Sequence, residues 1–420
     1  MKENHKTNRE NLGKLMENSS MLVIFAGAAP VSTADQYYAY SANRNLYYLT
    51  GIDRPNVILT MTKSINGEVS EKLYLERFDE LYARWNDAMI QKAEAEELSG
   101  ITSYGFIDEF IPVAATALNS GAAKTLYLDL ENRSFGNNTE ALDFAAQVRA
   151  KYPCVTIANA RDMVFKLRMI KQDYELAHLR KAAEITKEGF YAMMRNVKPG
   201  MMEYELEAHI DYTYKRFGTQ KAFSTILASG GNAAVLHYHK NNCEIKDGDL
   251  ILTDFGAGWS WYSADLTRTF PANGRFTERQ KLLYNIVLKG LELVTDMVKP
   301  GVEFGALNKG LREYYVKELV KIGLIKDEEN GDEELSEYYF HGVSHMLGLD
   351  THDLGRAPAD MPLEAGMVLT IEPGLYIPEE NLGIRIEDDV VVTVNGCEVL
   401  TSGIIKTIDE IEAFMAENRA

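Results

Sequence analysis

Asp254, Asp265, His345, Glu372 and Glu387 are the residues of this chain best suited to chemistry. A structural zinc site prefers Cys and His, whereas this set is four carboxylates and one imidazole. Such a set suits two hard or borderline divalent cations such as Mn²⁺ that share bridging carboxylate oxygens. A pair of metals held in this way turns water into a hydroxide nucleophile at neutral pH. The chemistry implied is hydrolysis.

The elements around the five must bring them together. Residues 250–255 and 262–270 read as strands joined by a short Gly-containing connection, which is a hairpin signal. Centred between Trp259 and Ser260, that hairpin places Asp254 opposite Asp265, with Cβ atoms about 4.5–5.5 Å apart. The apolar neighbours of Asp254 predict its burial. Two buried carboxylates repel and shift towards protonation, and a cation removes the difficulty. Glu372 ends a strand at 367–371, and Glu387 sits within a strand at 384–393. An isolated acid at a strand end is ordinarily a turn or cap residue.

A repeat argues for more than that. Gly248-Asp249-Leu250-Ile251-Leu252-Thr253-Asp254-Phe255-Gly256 aligns with Gly366-Met367-Val368-Leu369-Thr370-Ile371-Glu372-Pro373-Gly374, acid over acid. Each segment is followed by a strand with a second acid, Asp265 or Glu387. Upstream, Val-Lys-Pro-Gly occurs at 197–200 and again at 298–301, each time after a helical pattern (164–195 and 279–297) and before another (203–217 and 306–322). Residues 165–420 therefore read as two related helix–helix–strand–strand halves, with a site expected at their pseudo-twofold junction. Five of the eight histidines fall in two segments, His237 and His239 in one, His341, His345 and His352 in the other. His341 and His345 stand four apart and share a helical face if that segment is a helix; Gly342 and Gly348 make a strand or loop an equal alternative. His239 reads as exposed.

The bulk numbers set the frame. A chain of 420 residues suggests two domains. The formal charge of −18 argues against nucleic acid and against anionic membranes as partners. Three dispersed cysteines without a CxxC pair fit a reducing compartment. The apolar run at 21–29 is short and follows a mixed-charge segment, so it reads as a buried strand rather than a signal peptide. No stretch is long enough to span a bilayer, and a cytoplasmic location is expected. Strand-like runs at 21–26, 57–61, 72–75, 125–128 and 155–157 alternate with helical stretches at 87–98 and 140–151, which predicts an α/β N-terminal domain.

At these residues the sequence resembles the pita-bread metallopeptidases, the family of methionine aminopeptidase, aminopeptidase P and prolidase. The resemblance rests on Asp254, on Asp265 eleven residues later, and on His345 within HGVSHMLGLDTHD. It continues with Glu372 within EPG and Glu387 within GIRIED. Ser32-Thr33-Ala34-Asp35, Tyr37 to Tyr40, Asn43 and Tyr47-Tyr48-Leu49-Thr50-Gly51 are similar to the N-terminal domain of the aminopeptidase P branch and of one prolidase type. The resemblance implies an α/β domain over residues 1–162 and an α+β pita-bread catalytic domain, a duplicated α₂β₂ unit, over 163–420. It implies two divalent ions, Mn²⁺ with Co²⁺ or Zn²⁺ as alternatives, anchored by Asp254, Asp265 and Glu387 and completed by His345 and Glu372.

The implied activity is release of the N-terminal residue from peptides with proline second, by attack of a metal-bridging hydroxide. Glu372 is then the partner for the water's proton. His237 and His352 stabilise the tetrahedral intermediate and relay a proton to the prolyl nitrogen, and His341 shapes the proline-side pocket. Arg385, two residues before Glu387 and so on the same strand face, orients ligand carboxylates, with a surface salt bridge as its other reading. The rival is a prolidase restricted to Xaa-Pro dipeptides. A different class is an inactive peptide-binding or histone-chaperone module on the same fold. Creatinases share the architecture without the ligands. Trp85 matches a tryptophan that reaches a neighbouring subunit's site, although the basic residues that usually follow it are absent. A homodimer or homotetramer is expected.

Overall fold

The computed structural model describes residues 1–86, 89–131 and 139–418. The chain divides into two compact units, Met1–Arg168 and Met169–Ala420.

In the first unit, six strands form one mixed sheet. They are β1 (Ser20–Phe25), β2 (Ile58–Lys63), β3 (Val69–Leu75), β4 (Tyr104–Phe106), β5 (Thr125–Leu128) and β6 (Thr156–Asn159), in the order β4-β3-β2-β1-β5-β6. β1 pairs antiparallel with β2 and parallel with β5. That central place explains the apolar run at its start, since Leu22, Val23 and Ile24 are fully buried. Helices α1 (Ile107–Asn119) and α2 (Glu140–Lys151) bury Phe110, Leu118, Phe144 and Val148 against Met21, Val23 and Leu126. The expected helix at 87–98 runs from Lys92 to Ser99; positions 87 and 88 lie outside the described residues.

The single helix expected over 164–195 is two, α3 (Arg161–Met169) and α4 (Asp173–Asn196). The break has local causes. Lys171 gives its backbone N–H to Gly366 O at 2.9 Å, and Glu175 accepts the Gln172 N–H to open α4 with a capping box. A gap of three residues is close to one helical turn. The apolar spacing therefore runs across the break undisturbed.

The second unit repeats itself as the sequence predicts. α4 and α5 (Glu203–Arg216) precede an antiparallel pair, β8 (Leu250–Phe255) with β11 (Leu266–Pro271), and β7 (Ile226–Ser229) lies on the other side of β8. Between β8 and β11 lie the short β9 (Ala257–Trp259) and β10 (Tyr262–Ser263). α6 (Glu278–Met297) and α7 (Phe304–Lys321) precede a second antiparallel pair, β12 (Val368–Ile371) with β15 (Asp388–Val392), around β13 (Gly374–Ile377) and β14 (Leu382–Arg385).

The duplication extends to single bonds. Gly200 N–H reaches Ile245 O and Gly301 N–H reaches Leu363 O, both at 2.8 Å. Met202 bridges Glu244 as Glu303 bridges Pro362. Gly248 and Gly366, which start the aligned segments, have φ of 87° and 93°, a region where a side chain is strained. One core runs through both halves, with Phe190, Ile251 and Phe270 in the same cluster as Leu311, Leu369 and Ile384.

Candidate metal centre

The hairpin that carries Asp254 differs from expectation by one residue. Ser260 and Trp261 have φ of 50° and 66°, so they form the two-residue turn with positive φ at both central positions. The register follows as Trp259↔Tyr262, Gly258↔Ser263 and Asp254↔Thr267. Moving the turn centre by one residue moves every partner by two. Asp254 therefore faces Thr267, and Asp265 lies diagonally on the same side.

The strand expected over 262–270 is also broken, at Ala264 and Asp265. Gly256 permits the close approach there, because a Cβ at that position would lie 1.8 Å from Ala264 O. In the break the Asp265 N–H turns to Asp389 Oδ2 at 3.1 Å. The second half does the same. The strand expected over 384–393 is β14 and β15, and Glu387 occupies the gap between them.

The halves meet along these gaps. Glu387 N–H donates to Thr267 O at 3.0 Å, and Thr269 Oγ1 donates to Arg385 O at 2.9 Å. The junction brings Asp265, His345 and Glu387 together, with one ligand atom of each within 4.8 Å of the others. His345 Nε2 lies 3.4 Å from Asp265 Oδ2 and 3.7 Å from Glu372 Oε1. Asp254 is less buried than its neighbours suggested, with 14% of its side chain exposed. Its Oδ2 accepts a 2.6 Å bond from Arg385 Nη2, and Arg385 is buried, so this is not a surface salt bridge.

The histidine segment is irregular, so His341 and His345 share no helical face. His345 is held by its backbone, with Thr370 N–H donating to its carbonyl at 3.0 Å. Its Nδ1 lies 3.1 Å from Met346 O, so the proton belongs there and Nε2 keeps a free lone pair towards the acids. Burial, and then His352, push its pKa down to about 4, which keeps the ring neutral and able to ligate. His352 packs edge-on to His345 at 4.5 Å between centroids. His341 Nε2 lies 2.8 Å from Tyr376 OH, and burial next to Arg385 pushes its pKa down to about 3. His237 is exposed and stacks on exposed His239 at 6.0 Å.

The acids are crowded. Burial first, and then the charge on Glu387, holds Asp265 well above the ordinary carboxylate range. Burial and Glu372 do the same to Glu387. Burial raises Glu372 to about 8. Asp254 Oδ1, Asp265 Oδ1 and Asp389 Oδ1 are buried without a hydrogen-bond partner. Buried carboxylate oxygens without donors are costly unless a cation takes them up. With a neutral imidazole beside them, the donor set fits hard or borderline divalent ions.

Three residues of the site escaped the sequence. Thr267 Oγ1 donates to Glu387 Oε2 at 2.7 Å and accepts from Arg385 Nε at 3.0 Å. Tyr376 OH joins Arg385 Nη1 at 3.0 Å to His341. Asp389 supports Asp265. Strand alternation points to Thr267 and Asp389, each two residues from a named acid. Nothing in the sequence pointed to Tyr376.

Comparison with known proteins agrees with this geometry. Residues 177–394 match the model of metallopeptidase family M24, and residues 5–127 match that of the aminopeptidase P N-terminal domain. The Xaa-Pro aminopeptidase of Escherichia coli K12 is 35% identical, over 98% of this chain and 97% of its own. A Bacillus anthracis structure assigned as an aminopeptidase P superposes with a TM-score of 0.96 at 46% identity, covering 100% of this chain and 99% of the other. The E. coli aminopeptidase P structure with the inhibitor Pro-Leu gives 0.93 at 33% identity, with the same coverage. With two duplicated halves, a pita-bread catalytic unit and an α/β unit before it, the chain belongs to metallopeptidase family M24.

Proposed function

We propose that this chain is a dinuclear metallo-aminopeptidase that releases the N-terminal residue from peptides with proline second. The observation that carries the reading is the trio Asp265, His345 and Glu387, convergent within 4.8 Å beside carboxylate oxygens that lack donors. The substrate class rests on the E. coli relative's name and on its structure with Pro-Leu.

Asp254, Asp265 and Glu387 would hold two divalent cations, Mn²⁺ first with Co²⁺ or Zn²⁺ as alternatives, and His345 and Glu372 would complete one ion's set. Bound there, the cations supply Lewis acidity and an acidified water. The protein supplies proton handling and orientation. In an Xaa-Pro bond the nitrogen is tertiary and carries no hydrogen. As the C–O bond forms and the C–N bond breaks, that nitrogen must receive the proton that the water gives up.

Glu372 takes that proton, since its carboxyl lies next to both His345 and His341, the latter at 3.8 Å. His352, exposed beside His345, hands it to the prolyl nitrogen. His237, from the first half, donates to the oxygen that gains charge. His341, tied to Tyr376, forms the proline-side wall, and Arg385 keeps Asp254 in place.

The proposal includes a homo-oligomer. Phe78, Leu81 and Trp85 are exposed on or next to the short helix Glu80–Trp85, with Trp85 82% exposed, and such surface favours a partner. All three cysteines are free, which supports a reducing, cytoplasmic location. No described helix is long and apolar enough to cross a membrane.

The test is purified protein with Mn²⁺ against Xaa-Pro-Xaa tripeptides, Xaa-Pro dipeptides and N-acetylated tripeptides. Release of free Xaa from tripeptides, blocked by acetylation and by EDTA, is the expected result. Cleavage of dipeptides alone makes the enzyme a prolidase. A protein that neither binds Mn²⁺ nor cleaves any of these peptides is a binding module, and the proposal falls.

A further inference from the structure

His237 sits on an exposed loop between the 3₁₀ turn Gly230–Ala234 and β8, with no strand or helix of its own to fix it. The loop around it bonds a buried carboxylate. Glu203, at the start of α5, is fully buried and has no cationic partner among the described residues. Its Oε1 accepts from Ser229 N–H at 2.8 Å, Ser229 Oγ at 2.8 Å and Asn232 Nδ2 at 3.1 Å. Its Oε2 accepts from Tyr238 OH at 2.8 Å and Cys243 N–H at 3.0 Å. Five donors from residues 229 to 243 converge on one side chain. A carboxylate offers about four lone-pair sites, so these donors use its full acceptor capacity.

Tyr238 is the next residue after His237. Its ring is buried in the same small cluster as Ile226, Leu252 and Tyr376, the tyrosine that bonds His341. Further along the loop, Asn241 takes a positive φ of 44° and is buried. Its Oδ1 accepts from Leu227 N–H at 3.1 Å, and its Nδ2 donates to Glu207 Oε2 at 2.7 Å. Glu203 and Glu207 lie one helical turn apart on α5, so one helix face grips the loop on both sides of His237.

We propose that Glu203, acting through Tyr238, is the positioning residue that presents His237 to the substrate. The proposal rests on the role given to His237 above. A glutamine at 203 keeps the shape but offers one acceptor oxygen, so its NH₂ must face either the Ser229 and Asn232 donors or the Tyr238 and Cys243 donors. Tyr238→Phe is the milder change, since it keeps the packed ring and deletes only the hydroxyl.

The experiment compares Glu203→Gln, Tyr238→Phe, His237→Ala and the two double variants with His237→Ala. It measures kcat on an Xaa-Pro tripeptide, bound Mn²⁺ per chain, and hydrogen exchange over 235–243 in metal-free protein. Glu203→Gln and Tyr238→Phe should each lower kcat on the order of ten- to a hundredfold, the cost of a small misplacement. They should leave Mn²⁺ content unchanged and speed exchange over 235–243. In the His237→Ala background the same changes should cost less than about twofold more, because the group they position is gone.

Equal losses with and without His237 overturn the proposal, and so does unchanged exchange in Tyr238→Phe. If Glu203→Gln does not fold, Tyr238→Phe decides alone. A wild-type protein without peptidase activity sinks the functional reading, while the exchange comparison still decides the clamp.

Discussion

Thr267, the residue that faces Asp254, ties the site together through its hydroxyl. It is fully buried, donates to Glu387 at 2.7 Å and accepts from Arg385 at 3.0 Å. Thr267→Val keeps the shape and removes both bonds. The bond from the Arg385 guanidinium contributes about 1.5–3 kcal/mol and the bond to Glu387, whose protonated form the metal-free fold favours, about 0.5–1.5 kcal/mol, so the two together are worth about 2–4.5 kcal/mol before relaxation. Arg385 keeps its bonds to Asp254 and Tyr376 and Thr267 leaves no cavity, which favours the low end, about 2 kcal/mol. For a unit of this size each kcal/mol is about 2–4 °C, so the metal-free protein should melt about 4–8 °C lower. Glu387 also loses the donor that fixes its carboxylate, and outer partners of that kind are worth about 10–100-fold in metal affinity. Calorimetric melting in EDTA isolates the first effect from ligand stabilisation, and titration with Mn²⁺ reads the second. A metal-free melting point within about 2 °C of wild type, with unchanged Mn²⁺ affinity, would refute the reasoning.

The crowded acids predict a pH dependence for metal-free protein. Glu372 is raised from 4.5 to about 8, with Asp265 and Glu387 also well above their ordinary values, so the fold favours their protonated forms. Their contribution to stability is fully present below the unfolded value and is lost as pH rises through the folded one. The EDTA-treated protein should therefore melt progressively lower between about pH 5 and 8, and Mn²⁺ should remove most of the decline; a flat metal-free profile counts against the crowding. Lys171→Met removes the cation that the buried Asp353 carboxylate meets at 3.1 Å, and should cost about 3–5 kcal/mol in urea unfolding. A loss under about 1 kcal/mol would mean that the pair is surface-like. His352→Ala should lower kcat by about 10²–10⁴-fold with Mn²⁺ content intact, as measured by steady-state kinetics and metal analysis. Unchanged turnover removes His352 from the proton path.

The sequence carried the duplication because each half repeats its backbone requirements, not only its acids. Gly200 and Gly301, and Gly248 and Gly366, occupy matching positive-φ positions, and pattern matching finds such constraints easily. Register was less legible. The connection 256–261 holds two glycines and singles out no turn position, and the expected centre between Trp259 and Ser260 is one residue early. The chain instead turns at Ser260-Trp261, neither of them a glycine. Strand breaks were illegible for a related reason. The residues on both sides of Asp265 and Glu387 are buried and β-compatible, and periodicity cannot see a ladder end whose cause lies elsewhere in the fold. For Asp265 that cause is the Asp389 carboxylate, which takes its N–H. Tyr376 illustrates the remaining limit, because its role depends on meeting His341 and Arg385 from another stretch of chain.

The breaks explain why the site lies at the junction and why it can form before any cation arrives. Each half places one acid at a strand end and a second in a gap, so four carboxylates face one another and repel. Buried Arg385 opposes that repulsion, and it and Arg268, also buried, cross between the halves in opposite directions. Arg268, from the first half, bonds Asp388 Oδ1 at 2.7 Å and Glu387 O at 2.6 Å in the second. Arg385, from the second half, bonds Asp254 in the first. The exchange is reciprocal, and both side chains are almost wholly buried. Asp254 and Asp388 thus retain a compensating charge when the cations are absent. The fold thus differs from small metal domains whose binding energy is their folding energy. Asp265→Ala and Glu387→Ala should accordingly abolish turnover while leaving a cooperative unfolding transition, and a variant that unfolds outright would show that the two arginines do not hold the junction.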